Sequence, residues 1–328
     1  MIKRKTMFIL IFLFGFAAIG LGVTFASVEA RSNSFVAEGE NNVFIPLMIR
    51  GPWINPFGFE SNVGITDTVY EQRADVLGVN WARLNGQISW RELQPEEGDQ
   101  INWDLLSGFE EELRTYQDLG IRPIIVVDDF PRWATIEPNS CSRLKEDKFD
   151  DYANFIIQLV RRYKKPEFNV HNWELGNEVD VDPSFISTID SQYGCWGDKN
   201  DPDFYGGDYY GQMVKVVGLA IKNADPDARV WLGGLMVSNP PDDNDNLNPE
   251  NFLRGVLAVG AAPYFDVVPY HGHISYYGKM QDADSLLIGD WAPWGGAAVG
   301  KPRFLRSIMQ EYGVDKILSL NEVGVGCN

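Results

Sequence analysis

Cysteine, histidine and positive charge are all scarce in this sequence. Three cysteines in 328 residues are too few to staple a small disulfide scaffold, and they lack the paired spacing of a zinc site. Histidine occurs only at positions 171, 271 and 273. Lysine and arginine total 28 against 46 aspartates and glutamates, a formal charge of -18. A nucleic-acid binder needs a basic footprint to displace counterions, so that class is excluded, and polyanionic substrates are disfavoured for the same reason. No G-x-G-x-x-G, phosphate-loop or G-x-S-x-G pattern occurs, which removes the usual signatures of dinucleotide, nucleotide and serine-hydrolase chemistry. No cofactor is expected. What remains is globular: 45% of residues are hydrophobic and 13% aromatic.

The chain opens on an address. Lys3, Arg4 and Lys5 precede an apolar run from Met7 to about Val23, followed by small residues around Ala26 to Ala30. A positive end, an apolar middle and a small-residue exit describe a signal peptide over residues 1–30. The run is nearly long enough to span a bilayer, so an uncleaved N-terminal membrane anchor is the competing reading. Both place the rest of the chain extracellularly, secreted or on the outer face of the membrane. Cleavage would take the charge from -18 to -20, because three basic residues and Glu29 leave together. No later segment is apolar enough to cross a membrane. Export permits a disulfide. Cys141 and Cys195, both in polar loop-like stretches, are the candidate pair, Cys327 has no obvious mate, and three unpaired thiols is the alternative.

Residues 31–50 read as a linker, polar and then apolar over Val43 to Ile49. From Gly51 onward short apolar runs alternate with longer amphipathic ones. Strands are expected near 57–64, 79–86, 122–128, 170–177, 229–235, 266–271 and 316–321. Helices are expected over Thr66 to Leu77, Trp103 to Leu119, Lys148 to Lys164, Tyr209 to Asn223, Pro249 to Val259 and Lys301 to Tyr312. Tyr152, Phe155, Ile156, Leu159, Val160 and Tyr163 share one helical face. Ile121 to Val127 is continuously apolar, as in a parallel strand buried on both faces. Strict alternation implies right-handed βαβ units and a parallel sheet. The resulting α/β fold class is a (β/α)8 TIM barrel over residues 51–328. Seven strands are countable, and an eighth strand with its helix would need roughly 30 more residues. The expectation is therefore a barrel lacking its eighth βα unit at the C-terminus, with open edges on strands one and seven.

A barrel builds its active site from the loops after its strands. The loop after strand four carries Tyr193, Trp196, Phe204 and Tyr205, and the one after strand six carries Tyr276, Tyr277, Trp291 and Trp294. Aromatic faces suit the apolar face of a sugar ring. Strand four reads His171-Asn172-Trp173-Glu174-Leu175-Gly176-Asn177-Glu178, and strand seven reads Ile317-Leu318-Ser319-Leu320-Asn321-Glu322. Each ends in a glutamate at its C-terminal lip. Strands four and seven face each other across a barrel mouth, so Glu178 and Glu322 can converge on one molecule. Glycoside hydrolysis needs such a pair, one group protonating the leaving oxygen and the other attacking the anomeric carbon. Glu174, deeper on the same face, needs a buried partner, and Arg83 is the candidate.

With those stretches in place, the chain resembles the clan A retaining glycoside hydrolases, including family 39 and the cellulase-like family 5. The resemblance rests on Trp81-Ala82-Arg83-Leu84, Trp90 to Trp103, Phe130-Pro131-Arg132-Trp133, Trp173 to Glu178 and Leu320-Asn321-Glu322, in order along the chain. It implies that Glu178 is the acid/base and Glu322 the nucleophile, that Asn177 holds the sugar 2-hydroxyl, and that Arg83 lies beneath the nucleophile. Trp133, Trp196, Trp291 and Trp294 join the expected substrate-binding set. Two departures stand out. Where family 5 commonly carries histidine at the end of strand three, this chain has Asp128 and Asp129. The strand-six His-x-Tyr becomes Tyr270-His271-Gly272-His273, so the nucleophile's partner could be Tyr270, His271 or His273. The H-x-H pair has no third ligand of suitable spacing, and Asn239 to Asn248 lacks the loop glycine and closing glutamate of a calcium hand, so no metal is expected. The expected function is a retaining glycosidase acting on a neutral β-linked oligo- or polysaccharide, with a non-catalytic carbohydrate-binding barrel as the alternative. No nucleic-acid partner is expected, and membrane contact only through an uncleaved N-terminal segment.

Overall fold

The computed structural model describes residues 55–60, 74, 76–137, 141–186, 193–237, 249–272 and 291–323. The N-terminal address, the linker, most of the helix expected over 66–77, the acidic loop at 239–248, His273, Tyr276, Tyr277 and Cys327 lie outside these residues. Seven strands form one sheet: β1 (Gly58–Glu60), β2 (Trp81–Ser89), β3 (Arg122–Asp128), β4 (Asn172–Asn177), β5 (Arg229–Gly234), β6 (Val267–His271) and β7 (Ile317–Glu322). They pair in chain order, all parallel. Between them run α1 (Ser107–Asp118), α2 (Phe149–Tyr163), α3 (Gly207–Ala224), α4 (Phe252–Ala258) and α5 (Ala297–Glu311). This is a TIM barrel with seven strands among the described residues, and β1 and β7 are its two edges. Helix α5 starts four residues before the expected Lys301 and passes through Pro302. Among the described residues no helix is long and apolar enough to cross a membrane.

Alternation along each strand sorts its side chains between two environments. Outward residues such as Leu84, Ile125, Val127, Trp173, Leu175, Val230, Leu232 and Val268 join the helix faces in one continuous core. Helix α2 buries the face its period marks, Tyr152 to Tyr163, with Trp90 stacked on Phe155 at 5.4 Å. Two helix tyrosines fasten this layer to the sheet. The Tyr152 hydroxyl donates to the Val127 carbonyl at 2.8 Å. The Tyr210 hydroxyl donates to Leu175 O and accepts from Gly233 N, both at 2.8 Å.

Inside the barrel the layers change character with height. The floor is apolar, with Ile124, Trp231 and Val267 packed together and Trp81 against them. The next layer upward is charged, built on Arg83 and Glu174, both buried. Above it the strand ends form the mouth. Three non-glycine residues with positive φ sit just past strand ends: Asp129 after β3 (φ 54°), Glu178 after β4 (49°) and Val237 after β5 (43°). Such conformations cost energy and are kept only where surrounding bonds over-determine them. They mark this rim as the place where the backbone is shaped for something other than stability.

Candidate active site

Arg83 is the hub. It grips Glu174 with two bonds, Nε to Oε2 at 3.0 Å and Nη2 to Oε1 at 2.8 Å. Nη2 also donates to Asn177 Oδ1 at 2.7 Å, while Nη1 reaches Glu60 Oε1 and Glu322 Oε2, each at 3.0 Å. Burial alone would lower the guanidinium pKa, but Glu174, Glu60 and Glu322 raise it beyond its usual value. A planar fork with five donors suits this many-sided role, and a lysine would not. Glu174 is completed by Asn321 Nδ2, at 3.0 and 3.1 Å, and by Gly234 N at 3.1 Å. A fully buried carboxylate is therefore surrounded by donors, as burial of charge requires.

Both glutamate-bearing strand ends break the simple two-residue alternation. In β4, Gly176 adopts φ 97° and Glu178 φ 49°. The twist turns Asn177 inward onto Arg83, where strict alternation would point it out. In β7 a register shift opposite Tyr270 and His271 pairs His271 with Glu322 and leaves Asn321 as the extra residue. Asn321 and Glu322 consequently both reach the charged layer. A bulge of this kind re-aims side chains at a sheet rim.

The structure brings Glu178, His271 and Glu322 together. One ligand atom from each lies within 4.8 Å of the others. His271 is fully buried, with Nδ1 hydrogen-bonded to Glu178 Oε1 at 2.8 Å and Nε2 3.5 Å from Glu322 Oε2, beyond a well-formed hydrogen bond. Gly234 makes room for the ring, since a Cβ there would collide with Nε2. Glu178 is buried and Glu322 is 25% exposed at its side chain. Tyr270 is also buried, but it lies on the outward face, within the core shared with the helices. Of the two described candidates for the nucleophile's neighbour, His271 is the one beside Glu322. Histidine and carboxylates are metal-ligand types, and these three converge closely enough for one ion, while the hydrogen bond from Nδ1 to Glu178 also suits a metal-free site.

Around this centre the mouth is acidic. Asp128 continues the inward face of Ile124 and Val126. Its carboxyl is pushed up to about 7 by burial, then by Asp129 and Glu174, with Arg83 opposing. Asp129 is tied to Ser89 Oγ at 2.5 Å and Arg91 Nε at 3.2 Å. Glu60 is raised by burial, against the pull of Arg83, and further by Glu322. The Tyr193 phenol, raised by burial and by the charges of Glu178 and Glu322, lies within range of both.

The expected aromatics divide. Trp133, beside the mouth after β3, is half-buried, with Trp90 edge-on at 5.2 Å and Lys148 Nζ 5.5 Å over its ring. Trp294 is 41% exposed. Trp196 and Trp291 are corrections: both are buried and present no face to a sugar. The Cys141–Cys195 disulfide holds the loop after β4 to the loop after β3. Trp196, next in sequence, packs edge-on against Phe130 and Tyr210 in the core. Trp291 packs on Phe304 and donates through Nε1 to Val237 O at 3.1 Å. Three further groups at the mouth were not expected from the sequence: Glu60, Asp180 and Lys301. A charged residue at the end of a three-residue strand, or on an amphipathic helix, carries no local signal of burial.

No sequence-family profile matches the chain, and no curated protein matches it in sequence. Solved structures do match. A family 39 β-xylosidase from Caulobacter crescentus is 17% identical, with a TM-score of 0.52 over 85% of this chain and 56% of its own. A monomeric β-xylosidase from Caulobacter crescentus CB15 is 17% identical, with a TM-score of 0.53 over 83% of this chain and 52% of its own. The chain thus spans just over half the length of either. The likeness shows the fold: this barrel is shared with clan A glycoside hydrolases.

Proposed function

We propose that the protein is a retaining glycosidase acting on a neutral β-linked glycan through Glu178 and Glu322. The observation that carries this reading is the approach of the two carboxyls to within 4.8 Å over a shared mouth. Retaining enzymes space their carboxyls at about 5–5.5 Å, and inverting ones at about 6.5–9.5 Å to admit a water. In the first step a Glu322 oxygen attacks the anomeric carbon, the bond to the leaving oxygen breaks, and that oxygen takes the proton from Glu178. In the second step water attacks the glycosyl ester, Glu178 takes its proton, and the Glu322 carboxylate departs. Arg83, immobilised by Glu174, favours the ionised form of Glu322 on both sides of the cycle. The Glu178–His271 bond suits a group that alternates between acid and base. The ring nitrogen can accept from the protonated carboxyl or donate to the ionised one. Asn177, bonded to Arg83 beside the acid/base, is the residue that would hold the sugar 2-hydroxyl. The excess of carboxylates at the mouth disfavours uronic or sulfated sugars.

Export belongs to the same proposal. The Cys141–Cys195 bond is the chemistry of an oxidising compartment, and a mature protein found outside the cytoplasm and beginning near residue 31 is the expected outcome.

The test is turnover of a panel of aryl β-glycosides, β-xylosides included because both matched structures are β-xylosidases. Glu178→Gln and Glu322→Gln should each lower kcat/KM by several orders of magnitude, and azide should partly restore Glu322→Gly by direct attack. NMR of early product should show the retained anomer. Sugar binding by the parent without turnover would instead favour the carbohydrate-binding barrel, and an inverted product would remove Glu322 as nucleophile.

A further inference from the structure

Lys301 is a buried lysine on α5. Its Nζ donates to the Met236 carbonyl at 2.5 Å and to the His271 carbonyl at 2.9 Å. It therefore spans the ends of β5 and β6 at the residue whose ring meets Glu178. The Met236–Val237 turn is held from three sides. Asp180 accepts from Met236 N at 2.8 Å and Val237 N at 2.7 Å, Lys301 takes the Met236 carbonyl, and Trp291 takes the Val237 carbonyl. Val237 is β-branched and has φ 43°, a conformation that persists only under such constraint.

A buried ammonium gives up its hydration, and here that loss is offset by bonds to two strand-end carbonyls. Burial lowers Lys301 to about 8, while the charges of Asp180 and Glu178 oppose the fall. One of its two bonds is to the backbone of His271, so its loss would be felt at that residue.

Resting on the glycosidase reading, we infer that Lys301 is a positioning residue for the acid/base. By fixing the strand ends at Met236 and His271, it holds the His271 ring against Glu178 and so aims the acid's proton. The acid step is the one that should suffer without it, because a displacement near 1 Å can cost about a hundredfold in rate.

The experiment compares the parent with Lys301→Met and Lys301→Gln on aryl glycosides of one sugar, using a poor leaving group (phenyl) and a good one (2,4-dinitrophenyl). Departure of the good leaving group needs no proton. Lys301→Met should lower kcat/KM by about 10- to 100-fold for the phenyl glycoside. The dinitrophenyl glycoside should lose less than about threefold, with KM little changed. Lys301→Gln, which keeps donors without the charge, should fall between. Because the chain has three histidines, the His271 ring signals can be followed by NMR and assigned with His271→Gln. In folded Lys301→Met they should move from their parent positions. Equal losses for both leaving groups, or unmoved His271 signals, would overturn the inference. If the parent cleaves no glycoside, the glycosidase reading fails by that result, and the ring signals alone decide whether Lys301 positions His271. Should Lys301→Met not fold, Lys301→Gln carries both readouts.

Discussion

β4 and β7 deliver the two carboxylates, yet they occupy opposite environments. All six residues of β4 are buried, whereas β7 has none buried, and Ile317 and Leu320 are 54% and 40% exposed. Both nevertheless end in Asn-Glu, and both asparagines grip the same ion pair. Asn177 accepts from Arg83, and Asn321 donates to Glu174. Among the described residues β4 is enclosed on both faces, whereas β7 meets the apolar core through Leu318 and Glu322 is reached by polar contacts. On β4 a helix layer presses the strand into position. On β7 the Arg83–Glu174 pair, the bulge beside His271 and pairing with β6 act together with the packing of Leu318.

The sharpest way to break this comparison is to remove the hub. Arg83→Met leaves Glu174 buried and uncompensated, which should cost about 3–5 kcal/mol and lower the melting temperature markedly. A folded Arg83→Met with near-parent stability would show that packing, and not the ion pair, places the strand ends. Next comes a paired substitution on the apolar sides. Leu175→Ala on β4 should cost about 2–4 kcal/mol by opening a cavity, while Ile317→Ser on β7 should stay within about 1 kcal/mol. Denaturant midpoints check both, and equal losses would erase the distinction between the strands.

The smallest expected effect concerns Asp128, on β3 beside the hub. Its folded pKa of about 7 lies above the unfolded carboxyl value of about 3.9. The proton is therefore bound more tightly when folded. The stability it contributes is full below the unfolded value and is lost as pH rises through 7. Asp128→Asn, which mimics the protonated form, should gain about 1–2 kcal/mol over the parent at pH 8, after allowance for partial exposure, and nearly nothing at pH 4. Melting curves at both pH values read this directly, and an unchanged difference between them would refute it.

How legible all this is from sequence follows the same division. β3 announces itself by a continuous apolar run and α2 by its period, because burial on a regular element leaves a regular pattern, while β4 shows only the two-residue alternation that puts Glu174 and Gly176 on one face. Glu178 and Glu322 are visible as carboxylates at the C-terminal ends of expected strands. Glu174 is visible as a charge inside an expected strand, which forces a search for Arg83. Other features depend on contacts made far along the chain. Glu60 sits on a three-residue strand with no pattern of its own, and Lys301 resembles any basic residue on an amphipathic helix. Trp196 looks available for a sugar until the neighbouring disulfide draws it into the core. The inward turn of Asn177 depends on one positive φ at Gly176, which glycine permits but does not dictate.

The most direct test of the central claim is to trap the covalent intermediate. Incubation with an activated 2-deoxy-2-fluoro β-glycoside, followed by peptide mass spectrometry, should find one sugar attached to the peptide carrying Glu322. The label should still form, with an activated leaving group, in Glu178→Gln. A label on another carboxylate, or sustained turnover with none on Glu322, would contradict the account.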